Sequence, residues 1–157
     1  MPVVRDLRCN LQFIFGRKLD GLTGEYIDDI VPNDIQIASG QQSPSAAGNL
    51  TLASFTVEPG QECIIGDVDF GAAASALAEV TVTYKDFLGT SVTITRYIYL
   101  GAAGFINEQH DINKNPFLTF YNPAVQKNTV TVSFTVISAA ASTQYVANMA
   151  YVVRFSE

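Results

Sequence analysis

Residues 79–100 read EVTVTYKDFLGTSVTITRYIYL, and their alternation decides the fold. Val80, Val82 and Tyr84 fall on one side of the chain, with Thr81, Thr83 and Lys85 on the other. After KDFLGT the pattern resumes, setting Val92, Ile94, Arg96 and Ile98 against Thr93, Thr95, Tyr97 and Tyr99. A period of two marks a pleated strand with one buried face, because successive side chains point to opposite sides. Asp86 and Gly89 tolerate the backbone angles of a tight turn, so the two runs are expected to pair as an antiparallel hairpin. Arg96 interrupts the apolar side. A lone arginine near a strand end lays its stem on the sheet and keeps its guanidinium in water or against a carboxylate.

The same texture recurs on either side of this hairpin. NTVTVSFTVIS (128–138) alternates Val130, Val132, Phe134 and Val136 with Thr129, Thr131, Ser133 and Thr135, and TQYVANMAYVVRFS (143–156) is another long strand. FLTFYNP (117–123) reads as a short strand closed by a turn at Pro123. NLTLASFTV (49–57) runs into the turn residues Glu58, Pro59 and Gly60, and QECIIGDV (61–68) follows, which reads as a second hairpin. LQFIF (11–15) and EYIDDIV (25–31) add two candidate strands. GAAASALAEV (71–80) is the one segment of helical composition, and its alanines fit a close-packed loop equally well.

About eight antiparallel strands must cover their inner faces as two packed sheets or a closed barrel. The expected fold is therefore all-β, a jelly-roll-like sandwich or barrel with an extended N-terminal arm. An immunoglobulin-like sandwich is the alternative, disfavoured by the absence of Trp and of cysteines at sandwich spacing. The 157 residues suit one compact domain. Within it, residues 1–38 form the arm and first strands, the polar segment SGQQSPSAAG (39–48) a hinge loop, and residues 49–157 the main β-domain.

Charged residues make up 15% of the chain, below the roughly 25% of an average soluble protein, while 48% is hydrophobic. A surface rich in Thr, Ser, Asn and Gln but poor in charge suits a protein covered by neighbours. The charge is uneven. Residues 1–18 hold Arg5, Arg8, Arg17 and Lys18 against Asp6, a net of +3, which leaves −9 for the remainder of the total −6. A basic end on an acidic body is a docking pattern, and the acidic body argues against direct nucleic-acid binding. LQFIF is too short for the apolar core of a secretion signal, and no window approaches the ~18 apolar residues of a membrane span. Synthesis in the cytoplasm and no membrane partner are expected.

Little in the chain points to catalysis. His110 is the single histidine, in INEQHDIN, so zinc sites built on two or three histidines are excluded; a surface-loop position fits it best. No G-x-S-x-G occurs, and a Cys-His pair would need Cys9 or Cys63 beside His110. The two cysteines form no metal motif and are expected as buried free thiols. Asp67 and Asp69, and separately Asp28, Asp29 and Asp34, offer carboxylates of the kind a calcium loop uses, without EF-hand spacing. Sugar binding normally shows exposed Trp, of which there is none. The expectation is no enzyme, no cofactor, no metal and no small-molecule substrate. Tyr97 and Tyr99, if they face out with Thr93 and Thr95, make an uncharged, part-aromatic sheet face suited to a neighbouring subunit.

The strands EVTVTYKD, SVTITRYIYL and NTVTVSFTVIS, the arm MPVVRDLRCNLQFIFGRK and the polar segment SGQQSPSAAG together resemble virion structural proteins of phage and other viral capsids. Head-decoration or cement proteins fit the length best, with single jelly-roll shell proteins as the alternative. The resemblance implies a location in the virion, self-association, and docking on a major capsid protein through the arm, with Arg5, Arg8, Arg17, Lys18, Tyr97 and Tyr99 as the docking residues. A ligand-binding or adhesin module of a tail or cell surface is the reading from a different class.

Overall fold

The computed structural model describes residues 34–155, preceded by the backbone of two short paired strands, β1 (Arg17–Leu19) and β2 (Tyr26–Asp28). The strand expected at residues 11–15, together with Arg5, Arg8, Cys9 and Asp29, lies outside the described residues. Nine further strands follow: β3 (Gln36–Gln42), β4 (Gly48–Val57), β5 (Gln61–Ala72), β6 (Ala76–Lys85), β7 (Ser91–Leu100), β8 (Gly104–Glu108), β9 (Leu118–Tyr121), β10 (Val130–Ala139) and β11 (Tyr145–Phe155).

They form two antiparallel sheets. The first has the order β4-β10-β6-β7 and the second β3-β11-β5-β8, with β9 also paired to β5. β5 pairs with β9 over its first half and with β8 over its second, so β8 and β9 act as one interrupted strand. Counted that way, β3–β11 give eight strands in which first pairs with last and second with next to last. This is the strand order of a jelly roll, and the all-β expectation holds.

Residues 79–100 fold as read. β6 and β7 pair from Ala76 against Leu100 to Lys85 against Ser91. Gly89 closes the turn at φ +83°, a conformation open to glycine, and its amide donates to the Asp86 carbonyl at 3.0 Å. The Asp86 carboxylate accepts the amides of Leu88 and Thr90, both at 2.9 Å. Val80, Val82 and Ile98 are buried, while Arg96 is exposed on the free edge strand β7. GAAASALAEV is the end of β5, a turn and the start of β6.

Two expectations are corrected. The Glu58-Pro59-Gly60 turn forms, with Gly60 at φ +88°, but β4 and β5 do not pair. It is a corner that carries the chain from one sheet to the other, because β4 completes its ladder with β10 and β5 with β11. The segment 39–48 is no hinge over its first part: Ser39–Gln42 belong to β3 and pair with Tyr145–Asn148 of β11. Gly40 there passes so close to β4 that a side chain would overlap the Leu52 carbonyl. The polar sequence reflects an exposed edge strand, and its glycine reflects contact between the sheets.

The core lies between the sheets. Three aromatic pairs bridge it: Phe55 on Tyr151 with ring centroids 3.7 Å apart, Phe70 on Phe134 at 5.4 Å and Tyr84 on Phe120 at 5.0 Å. Each adds about 1 kcal/mol beyond the area it buries. A smaller apolar cluster sits on the outside of the second sheet, where Ile35 and Ile112 cover Ile64 and Val152.

Candidate interaction surfaces

The outer face of the first sheet is built from the side chains that alternate with the core. Thr93, Thr95, Tyr97 and Tyr99 of β7 stand beside Leu77, Glu79, Thr81 and Thr83 of β6, with Tyr97 opposite Glu79 and Tyr99 opposite Leu77. Ser133, Thr135 and Ile137 of β10 continue the same rows, opposite Thr81, Glu79 and Leu77. Hydroxyl pairs lace the strands together: Thr81 with Thr95 at 3.1 Å, Thr83 with Thr93 at 2.9 Å and Thr51 with Thr135 at 3.1 Å. A threonine bonded to a threonine needs little from water, which makes the face easy to cover. Tyr97 and Tyr99 are 64% and 67% exposed at one end of it.

A second apolar surface lies at one end of the sandwich. Phe87 and Leu88, at the tip of the β6–β7 hairpin, are 67% and 91% exposed. The Phe87 ring stacks at 5.7 Å on Tyr121, and the Gln126 amide donates to the Phe87 carbonyl at 3.3 Å. That bond ties the hairpin to the 3-10 turn Ala124–Gln126, which presents exposed Val125. Phe155 completes the patch, its ring lying over Gly60 next to Ala124. This end was missed by sequence reasoning, although a turn written DFLG, with two large apolar residues at its tip, carries the signal.

Of the docking residues expected from sequence, Tyr97 and Tyr99 share one exposed face. Arg17 and Lys18 sit on β1 opposite Asp28 and Ile27, with backbone alone described. His110 is half-buried, edge-on to Phe117 and 3.5 Å from the Glu108 carboxylate. The Asp67 carboxylate accepts the His110 amide at 2.9 Å and that of Asp69 accepts from the Asn107 side chain, so both hold β8 and its following turn to β5. Among the described residues, no three His, Cys, Asp or Glu side chains gather as a metal site. Cys63 is a free thiol in the core, and burial, reinforced by the neighbouring Glu62 carboxylate, pushes its pKa far up. A thiol held protonated and out of solvent is a poor nucleophile. Glu62 is itself buried and pairs with the guanidinium of Arg154.

No family model matches the chain, and no curated protein matches it. Among solved structures it is similar to the enzymatically active domain of bacteriophage CBA120 tailspike protein 4, at 16% identity and TM-score 0.34, covering 77% of this chain and 19% of that one. It is similar to a structure of infectious bursal disease virus, Gx strain, at 15% identity and TM-score 0.37, covering 88% and 36%. It is also similar to a family 16 carbohydrate-binding module, at 15% identity and TM-score 0.38, covering 71% and 74%. The chain thus spans well under half the length of the two viral structures. The jelly-roll assignment rests on the strand order.

Proposed function

We propose that the protein is a virion structural protein of the decoration or cement type, which stabilises a shell by packing against copies of itself and against a major capsid protein. The observation that carries the reading is the gathering of exposed large apolar side chains into separate patches on a weakly charged surface. Leu77, Tyr97 and Tyr99 form one, and Phe87, Leu88, Val125 and Phe155 another. Soluble monomers scatter such residues singly, whereas contiguous patches mark sites that a partner covers. Four strands of ten residues make a face of about 600 Å², near the roughly 800 Å² that each partner contributes to a standard interface. Patches on a face and on an end favour several neighbours over one dimer contact, as a shell requires. Jelly rolls serve in viral capsids and in lectins alike, so the fold itself decides neither.

The arm supplies the second contact in this reading, with Arg5, Arg8, Arg17 and Lys18 meeting an acidic partner surface. Light scattering on the full chain, on Tyr97→Ser/Tyr99→Ser and on a chain lacking residues 2–18 tests both parts. The expected outcome is an oligomer of defined mass that dissociates in the double variant, with docking weakened by truncation. A full chain that stays monomeric to high concentration, with docking untouched by truncation, would sink the proposal.

A further inference from the structure

The outer face of the second sheet carries an arrangement that assembly does not use. In one row across four strands stand Gln41, Val146, Gly71 and Phe105; in the next row, two residues along, stand Ser39, Asn148, Asp69 and Asn107. The Phe105 ring and the Val146 side chain both close over Gly71, the ring so near that any side chain at position 71 would overlap it. Phe105 is nonetheless 80% exposed. About 7 Å away along the strands, the Asn107 side chain donates to Asp69, with Asn148 alongside on β11.

We infer that this face binds a neutral saccharide, with Phe105 as the stacking platform and Asp69, Asn107 and Asn148 as its hydrogen-bonding partners. A pyranose presents C–H groups on its flat side and hydroxyls at its rim. The electron-rich face of an aromatic ring attracts the first. Carboxylate oxygens accept from hydroxyls, and amides both donate and accept, so the polar row matches groups that do both. Asp69 is the one charged side chain in the two rows and no cation stands there, so a phosphate or sulfate finds no counter-charge. The site stands apart from the assembly reading. It lies on the sheet opposite Tyr97 and Tyr99, so it faces outward when that surface is covered.

The test is isothermal titration of the full-length protein with maltohexaose, cellohexaose and mannohexaose. The expected result is saturable binding of at least one, weakened roughly tenfold or more in Phe105→Ala and retained in Phe105→Tyr. Tyr97→Ser/Tyr99→Ser should bind as the wild type does, which separates this site from assembly. No saturable binding of any of the three, or equal affinity in Phe105→Ala, overturns the inference and leaves Phe105 as a cover for Gly71 alone. Should Phe105→Ala fail to fold, Asn148→Ala carries the same test: weakened binding supports the site, and wild-type affinity overturns it.

Discussion

Arg154 reaches across from β11 to a Glu62 carboxylate that is almost wholly buried. Charges in such positions are held by their partners, and removing one leaves the other in a medium that solvates it poorly. Arg154→Ala should cost about 3 kcal/mol in denaturant unfolding, and Arg154→Met combined with Glu62→Gln should recover most of it. Cys63 gives a prediction in pH. Its pKa is raised in the folded state, so the unfolded chain releases that proton first as pH rises. The contribution is complete below pH 9 and is lost above it, with stability falling by about 1.4 kcal/mol per pH unit. Cys63→Ala should flatten the slope between pH 9 and 10; an unchanged slope would assign it to other groups. Tyr97 and Tyr99 were legible in the sequence because a strict period of two assigns faces. Phe105 was not, because GAAGFIN carries no alternation and the glycine beneath the ring is 34 positions away in the chain.

The hairpin of β6 and β7 is a local element, and its turn residues and alternation are complete within 22 residues, which is why it was readable. The corner between β4 and β5 was not. A turn signal says that the chain reverses, while partner choice depends on β10 and β11, more than 70 residues on. β3 shows the same limit from the other side, since its polar residues suit an edge and Gly40 acquires a meaning only when Leu52 lies against it. Gly40→Ala should destabilise by about 3 kcal/mol, because backbone of β4 rather than a flexible side chain stands in the way. Hydrogen exchange should localise the damage to β3 and its ladder with β11. Protection of β3 equal to wild type would show that the two sheets separate more easily than their contact implies.

At the scale of the whole molecule, the two proposals assign different surfaces of the sandwich to different uses. The uncharged face with Tyr97 and Tyr99 and the apolar end around Phe87 and Phe155 are proposed for neighbours; the outer face of the second sheet, with Phe105, is left to the medium. Deleting residues 2–18 removes most of β1, whose pairing is with β2 in a sheet of its own, and should leave the thermal midpoint of the domain within a few degrees of wild type. A collapse of the midpoint would instead make the arm part of the fold. The most direct measurement is hydroxyl-radical footprinting of the full chain, dilute and concentrated. Oxidation of Tyr97 and Tyr99 should fall several-fold on concentration while that of Phe105 stays constant. Tyrosines that remain equally reactive at both concentrations, or a Phe105 that is protected with them, would contradict the assignment of the first sheet as the assembly face.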